Sequence, residues 1–247
     1  MDDSWTTATV TLRGKRYSEA VRNWSILATD LHRTLQRELV RNAIDFEGLL
    51  NHADGVVPLK AFRILGDEDL RLIDAMSAHN HAVVFDRCFC FEITNERPSV
   101  AVRWLVSLYN VALSHHLAAF FGPSEASKKA FRKAEQLYNV CIQLLLRSLQ
   151  TNMNLLYPNL HLLLMASMNN RGQILHHLCE CTETAEDASI VGLCLNLFLG
   201  STQENVVGPE IATIGRQARI EHDSLAFFLR FCIIPDFLLP PRLSAAA

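Results

Sequence analysis

Apolar residues recur every three or four positions in the first forty residues, which is the period of an amphipathic helix. Gly14 interrupts this segment, and Asp3 or Ser4 is a suitable N-cap residue before it. We therefore predict two helices within residues 4–41. The apolar stripe of the second helix consists of Tyr17, Ala20, Val21, Trp24, Leu27, Ala28, Leu31 and Leu35.

The same period returns in longer segments further along the chain. Residues 99–121 predict a helix capped by Ser99, and Gly122 and Pro123 end it before another helix begins at Ser124. Together they predict a helical hairpin over about 99–149, and a further pair of helices predicts a second hairpin over about 159–200. Residues 42–80 are less regular, and "DEDLRLIDAMSAHN" within them predicts a short helix or a helix-like loop.

Two segments change to a period of two, with aromatic and β-branched residues on alternate positions. They are residues 82–93 and residues 225–234. A lone strand leaves its backbone groups without partners, so we predict that these two segments pair. The alternative for residues 225–234 is the end of a helix. The predicted fold class is mainly α, with a small two-stranded β element.

Composition narrows the function classes. Of the 247 residues, 49% are hydrophobic, and the net charge is -3, which disfavours nucleic acid and anionic membranes as partners. The first ten residues lack a signal-peptide pattern, and seven cysteines, several within apolar segments, favour reduced thiols in an intracellular protein, cytoplasmic or nuclear. No phosphate-binding glycine loop or nucleophile motif is visible, so we expect neither a cofactor nor enzyme activity.

An offset of sixty residues superposes two of the predicted helices. Asn110 then falls on Asn170, Ala112 on Gly172 and His116 on His176. A third segment, "KAEQLYNVCIQL", spaces Ala134, Tyr138 and Cys141 in the way that a partner helix would require. These patterns resemble tetratricopeptide repeats, which are stacked antiparallel helical hairpins. The resemblance implies one tetratricopeptide-like domain over residues 1–247, with residues 201–247 as a C-terminal cap.

The resemblance also implies a binding surface. In such repeats the first helices line a groove that holds a peptide or a partner helix. Asn110 and Asn170 would hold extended peptide backbone, and Arg103 and Arg171 would hold carboxylates. The alternative for each asparagine is a link between helices inside the stack. We therefore expect a non-catalytic scaffold with a protein or peptide partner, or alternatively an obligate subunit of a larger complex.

The "HHLCEC" segment is the remaining candidate site. His176, His177, Cys179 and Cys181 have side chains that bind zinc well, which makes a metal-binding protein an alternative function. However, the cysteines lack the usual metal-ligand spacing, so packing at a helix end is the expected role. The other doublet, His115 and His116, is expected to be partly exposed. If the two doublets meet across stacked hairpins, they would titrate near the reference pKa of about 6.5.

Overall fold

The computed structural model describes residues 3–42, 45–51, 59–76, 84–91, 98–122, 124–151 and 158–178, and the structural statements below concern these residues. They form seven helices and two strands. The predicted fold class is confirmed: the described chain is mainly helical and contains a small antiparallel sheet. Within the described ranges, no helix has the length and apolarity needed to cross a bilayer.

The N-terminal helices are α1 (Asp3–Arg13) and α2 (Tyr17–Asn42), which pack against each other. They separate at Gly14, where the sequence predicts a break, and Lys15 takes the left-handed backbone conformation in the turn, with a φ of 58°. The predicted stripe of α2 faces inward, and Trp24 is fully buried. The rings of Trp5 and Trp24 meet edge to face with centroids 5.0 Å apart. These contacts join the two helices through apolar burial.

The middle of the chain contains α3 (Phe46–Asn51), β1 (Leu59–Arg63), α4 (Asp67–Met76) and β2 (Arg87–Phe91). The strands are antiparallel, with Ala61 opposite Phe89. The strand predicted within 82–93 is therefore present. Its partner in the structure is β1, for which the sequence predicted no strand. Residues 225–234, the predicted partner, lie outside the described residues.

The remaining helices are α5 (Val100–Phe121), α6 (Ser124–Thr151) and α7 (Pro158–His177). The Ser99 hydroxyl accepts a hydrogen bond from the backbone N–H of Val102 and caps α5 as predicted. Helix α5 is apolar on nearly all sides, so it is buried all round between α2, α6, α7 and β2. The predicted helix at 185–200 and the predicted cap at 201–247 lie outside the described residues.

Candidate functional site

Asn110 lies in the middle of α5 and is fully buried. Its Oδ1 accepts a hydrogen bond from the backbone N–H of Phe89 at 3.1 Å, and its Nδ2 donates to the Phe89 carbonyl at 2.8 Å. One carboxamide thus satisfies both backbone groups of one strand residue. Because both groups of a strand residue point to the same edge, Asn110 occupies the edge of β2 that faces away from β1.

Asn170 repeats this arrangement from α7. Its Oδ1 accepts from the backbone N–H of Phe85 at 2.8 Å, and its Nδ2 donates to the Phe85 carbonyl at 3.1 Å. The same Nδ2 lies 3.1 Å from the Tyr138 hydroxyl and 3.3 Å from the Tyr109 hydroxyl. Burial raises the pKa of both tyrosines well above the usual value, so each hydroxyl keeps its proton for hydrogen bonding.

The two carboxamides, which we call the asparagine pair, hold one extended segment at two points. We call residues 84–91 the inner segment; Phe85 and Phe89 are both fully buried within it. A carboxamide carries a donor and an acceptor like those of a peptide group, so each asparagine substitutes for one residue of a neighbouring strand. The asparagine pair therefore ties β2 and the residues before it to α5 and α7.

This geometry corrects the prediction that Asn110 and Asn170 bind a partner. Both have 0% relative exposure, so neither side chain is available to an external peptide in this structure. The residues do hold extended backbone, but the backbone belongs to the same chain. The alternative interpretation, a link between elements inside the stack, is the one that the hydrogen bonds support.

Arg171 is also placed inside rather than on a groove. It has 9% relative exposure, and its Nε lies 3.8 Å from Oε1 of Glu135 on α6. Removing either partner from such a pair leaves a poorly solvated charge. The pairing therefore links α7 to α6.

Arg103 is the one predicted binding residue at a surface groove in the described ranges. It lies in the first turn of α5 and is partly buried. The groove has a volume of about 770 Å³ and is bounded by α1, α2 and residues 98–103. Ile26, which is 53% exposed, contributes apolar surface to it. Asp30, Thr34 and Glu38 supply polar groups from α2.

The histidines of α5 and α7 do come close, around two phenylalanine rings. His116 contacts Phe120 and Phe131, with ring centroids 5.3 and 5.8 Å apart, and His177 contacts the same rings at 5.8 and 4.7 Å. His116 is fully buried, not partly exposed as predicted. Burial, and then the nearby His177, lower its pKa to about 3, so the expectation that it titrates near 6.5 is wrong.

His115, its neighbour, is partly buried, and burial and Lys133 lower its pKa. Among the described residues, no group of three or more histidine, cysteine or acidic residues is arranged to hold a metal ion. The zinc alternative requires the side chain of His176 and residues Cys179 and Cys181, which are outside the described structure. It stays a prediction.

Sequence reasoning missed several polar residues in the core. Tyr109 stands in an apolar helix face, and Tyr138 was noted only for its spacing. A buried tyrosine hydroxyl requires a partner, which is the signal that could have found their hydrogen bonds. Asp86 has 3% relative exposure and accepts a hydrogen bond from the backbone N–H of Leu65 at 3.0 Å. Burial raises the pKa of its carboxyl group. These residues fix the inner segment from several sides.

Comparison with known proteins does not add to this picture. No family model, curated protein or solved structure matches the chain.

Proposed function

We propose that the protein is a non-catalytic intracellular interaction module that binds a peptide or partner helix in the groove between α2 and the start of α5. The observation that carries this proposal is the groove itself, where exposed Ile26 and partly buried Arg103 share one concave surface. Apolar contact with a few polar groups is the composition expected of a recognition site.

The walls of this groove are preformed. Leu27 and Leu31 line it and are each 6% exposed, because the same face of α2 packs on α5. A partner therefore meets two fixed helices and does not have to order them, which reduces the entropy lost on binding. Covering the exposed half of Ile26 contributes about 1 kcal/mol to affinity.

Charged residues of the groove set the orientation of a bound partner segment. Asp30 and Glu38 lie on α2, and Arg103 lies across from them on α5. Asp30 also pairs with Arg33 at 3.1 Å, which leaves Glu38 as the acidic group without an ion pair among the described residues. A partner segment with an apolar anchor for Ile26, a basic residue toward Glu38 and an acidic residue toward Arg103 fits this pattern.

The inner segment supports this location over the side of α5 and α7 that carries the asparagine pair. In a tetratricopeptide-like arrangement that side would receive the ligand, but here the asparagine pair holds the chain's own residues 84–91. A partner would have to displace two fully buried phenylalanines to reach it. Binding at the α2–α5 groove requires no such displacement.

Affinity capture with matched variants tests the proposal. The immobilised full chain is incubated with extract of the source organism, and retained proteins are quantified by mass spectrometry. Ile26→Asp and Arg103→Glu alter the groove, whereas Leu72→Asp places the same charge on a 56% exposed residue of α4 that does not line the groove. We expect one set of proteins to bind wild type and Leu72→Asp equally, and to fall about tenfold with each groove variant.

Circular dichroism of each variant establishes that the fold is retained. A retained protein is then titrated directly against wild type and the variants. Equal capture by Ile26→Asp, Arg103→Glu and wild type would locate binding elsewhere and overturn the proposal.

A further inference from the structure

Two thiols of β2 lie in contact on one side of the strand. The Sγ atoms of Cys88 and Cys90 are 3.9 Å apart, because residues two apart in a strand project from the same face. The hydroxyl of Thr9 on α1 lies 3.2 Å from the Cys90 Sγ. Cys88 is 0% exposed and Cys90 is 6% exposed, so Cys90 is the thiol nearer to solvent.

The surroundings make the two thiols unequal. Burial raises the pKa of Cys88 well above its usual value, while the hydrogen bond with Cys88 and a second one with Thr9 lower the pKa of Cys90. The Arg13 guanidinium acts in the same direction on Cys90. A more acidic thiol next to a more basic one is the arrangement in which the first is attacked by an oxidant and the second resolves the product.

A metal ion is the other chemistry that two thiols can serve. Structural zinc requires about four ligands, and the described residues include no third histidine, cysteine or acidic group beside this pair. Two adjacent thiols without further ligands are suited to joining each other.

We propose that Cys88 and Cys90 form a reversible disulfide, with hydrogen peroxide as the oxidant and Cys90 as the first sulfur oxidised. The Cys90 sulfur attacks one peroxide oxygen, the O–O bond breaks, and the departing hydroxide takes the thiol proton to form water. The Cys88 sulfur then attacks the Cys90 sulfenic acid, the S–O bond breaks, and hydroxide leaves with the Cys88 proton as a second water. Two thiols lose two electrons, and one peroxide becomes two waters.

The strand makes this disulfide easy to reduce again. Residues two apart in an extended strand have Cα atoms about 6.7 Å apart, near the upper end of the roughly 4.4–6.8 Å that a disulfide spans. The Cβ atoms of such a pair are about as far apart as the Cα atoms, whereas a disulfide requires roughly 3.5–4.5 Å between them. Closing the bond therefore requires β2 to bend at Phe89, whose backbone Asn110 holds in place. A strained disulfide has a more oxidising potential, which is typical of disulfides that are regulatory rather than structural.

Peptide mapping of the intact, folded chain tests the proposal. Cleavage after Arg87 and Arg103 releases residues 88–103, which contain Cys88 and Cys90 and no other cysteine. After brief peroxide treatment and blocking of free thiols, we expect this fragment to have lost two hydrogens and to regain them with dithiothreitol. Residues 134–147 contain Cys141, a buried thiol on α6, and serve as the control within the same digest. We expect at least about a tenfold larger oxidised fraction in 88–103.

The order of the two steps is tested with single variants. Cys88→Ala removes the resolving thiol, so residue 90 is expected to gain one oxygen and to react with a sulfenic-acid trap such as dimedone. Cys90→Ala is expected to leave Cys88 unreacted. Equal oxidation of 88–103 and 134–147, oxidation only in denaturant, or direct conversion of both thiols to sulfonic acid would each overturn the proposal.

Discussion

Replacing Asn170 by alanine is the most direct test of how the inner segment is held. The change removes the hydrogen bonds from the carboxamide to the backbone of Phe85 and to the hydroxyls of Tyr109 and Tyr138. It leaves the helix position intact, because alanine is the best helix former. Any loss of stability therefore reports on the carboxamide and not on α7.

The expected loss follows from which groups lose a partner. The Phe85 carbonyl keeps the Tyr109 hydroxyl at 3.3 Å, whereas the Phe85 N–H loses the acceptor at 2.8 Å. A buried polar group that loses its partner costs about 1–3 kcal/mol. The cavity left by the carboxamide adds to this cost. We expect the free energy of unfolding to fall by about 3 kcal/mol.

Urea unfolding followed by tryptophan fluorescence measures this change, since Trp5 and Trp24 are buried in the same core. Asn169→Ala is the matched control: the same residue type on the same helix, partly buried and bonded to Asn170 at 3.2 Å. We expect it to cost less than about 1 kcal/mol. If Asn170→Ala costs no more than Asn169→Ala, the asparagine does not hold the inner segment.

Three further changes test other parts of the structure. Ser99→Ala removes the cap of α5 and should lower the unfolding free energy by about 1 kcal/mol in urea; no change would contradict the capping role. Gly172→Ala should raise the free energy of unfolding by about 0.5–1 kcal/mol, since an added Cβ meets no described atom within 4 Å. A lower free energy of unfolding would instead reveal a close helix crossing. The pKa of His116 is about 3 when folded and near 6.5 when unfolded, so the unfolded chain takes up the proton first as pH falls. Through this residue, the free energy of unfolding should therefore drop by about 2 kcal/mol between pH 6.5 and about pH 5. The free energy of unfolding of His116→Phe should drop by less over the same range. An unchanged pH dependence would count against a buried neutral His116.

The helices could be predicted from the sequence because their signals are local. The apolar stripe of α2, the break at Gly14 and the cap at Ser99 each depend on residues within a few positions of one another. The strand β1 could not be predicted in this way, because its five residues become a strand through pairing with β2, which begins more than twenty residues later. Its sequence, "LKAFR", carries no strong alternation of its own.

The asparagine pair is a second case in which the partners are too distant in the sequence to be predicted. The resemblance singled out both residues and implied that they hold the extended backbone of a bound peptide. It did not indicate that the backbone belongs to this chain, because Asn170 and Phe85 are 85 positions apart and no local pattern links them. His116 was misplaced for a related reason: in a helix buried all round, the apolar period no longer distinguishes an inner face from an outer one.

Under the proposed function, the asparagine pair also bears on where a partner would bind. Helices α5 and α7 each give one carboxamide to the inner segment, so the side of these helices that carries the asparagine pair is part of the core. That core fixes α5, and α5 in turn carries Arg103 at its start. The inner segment therefore also supports the wall of the α2–α5 groove that α5 provides. If a partner binds there as proposed, a variant that loosens the asparagine pair should weaken binding through α5 without changing a groove residue.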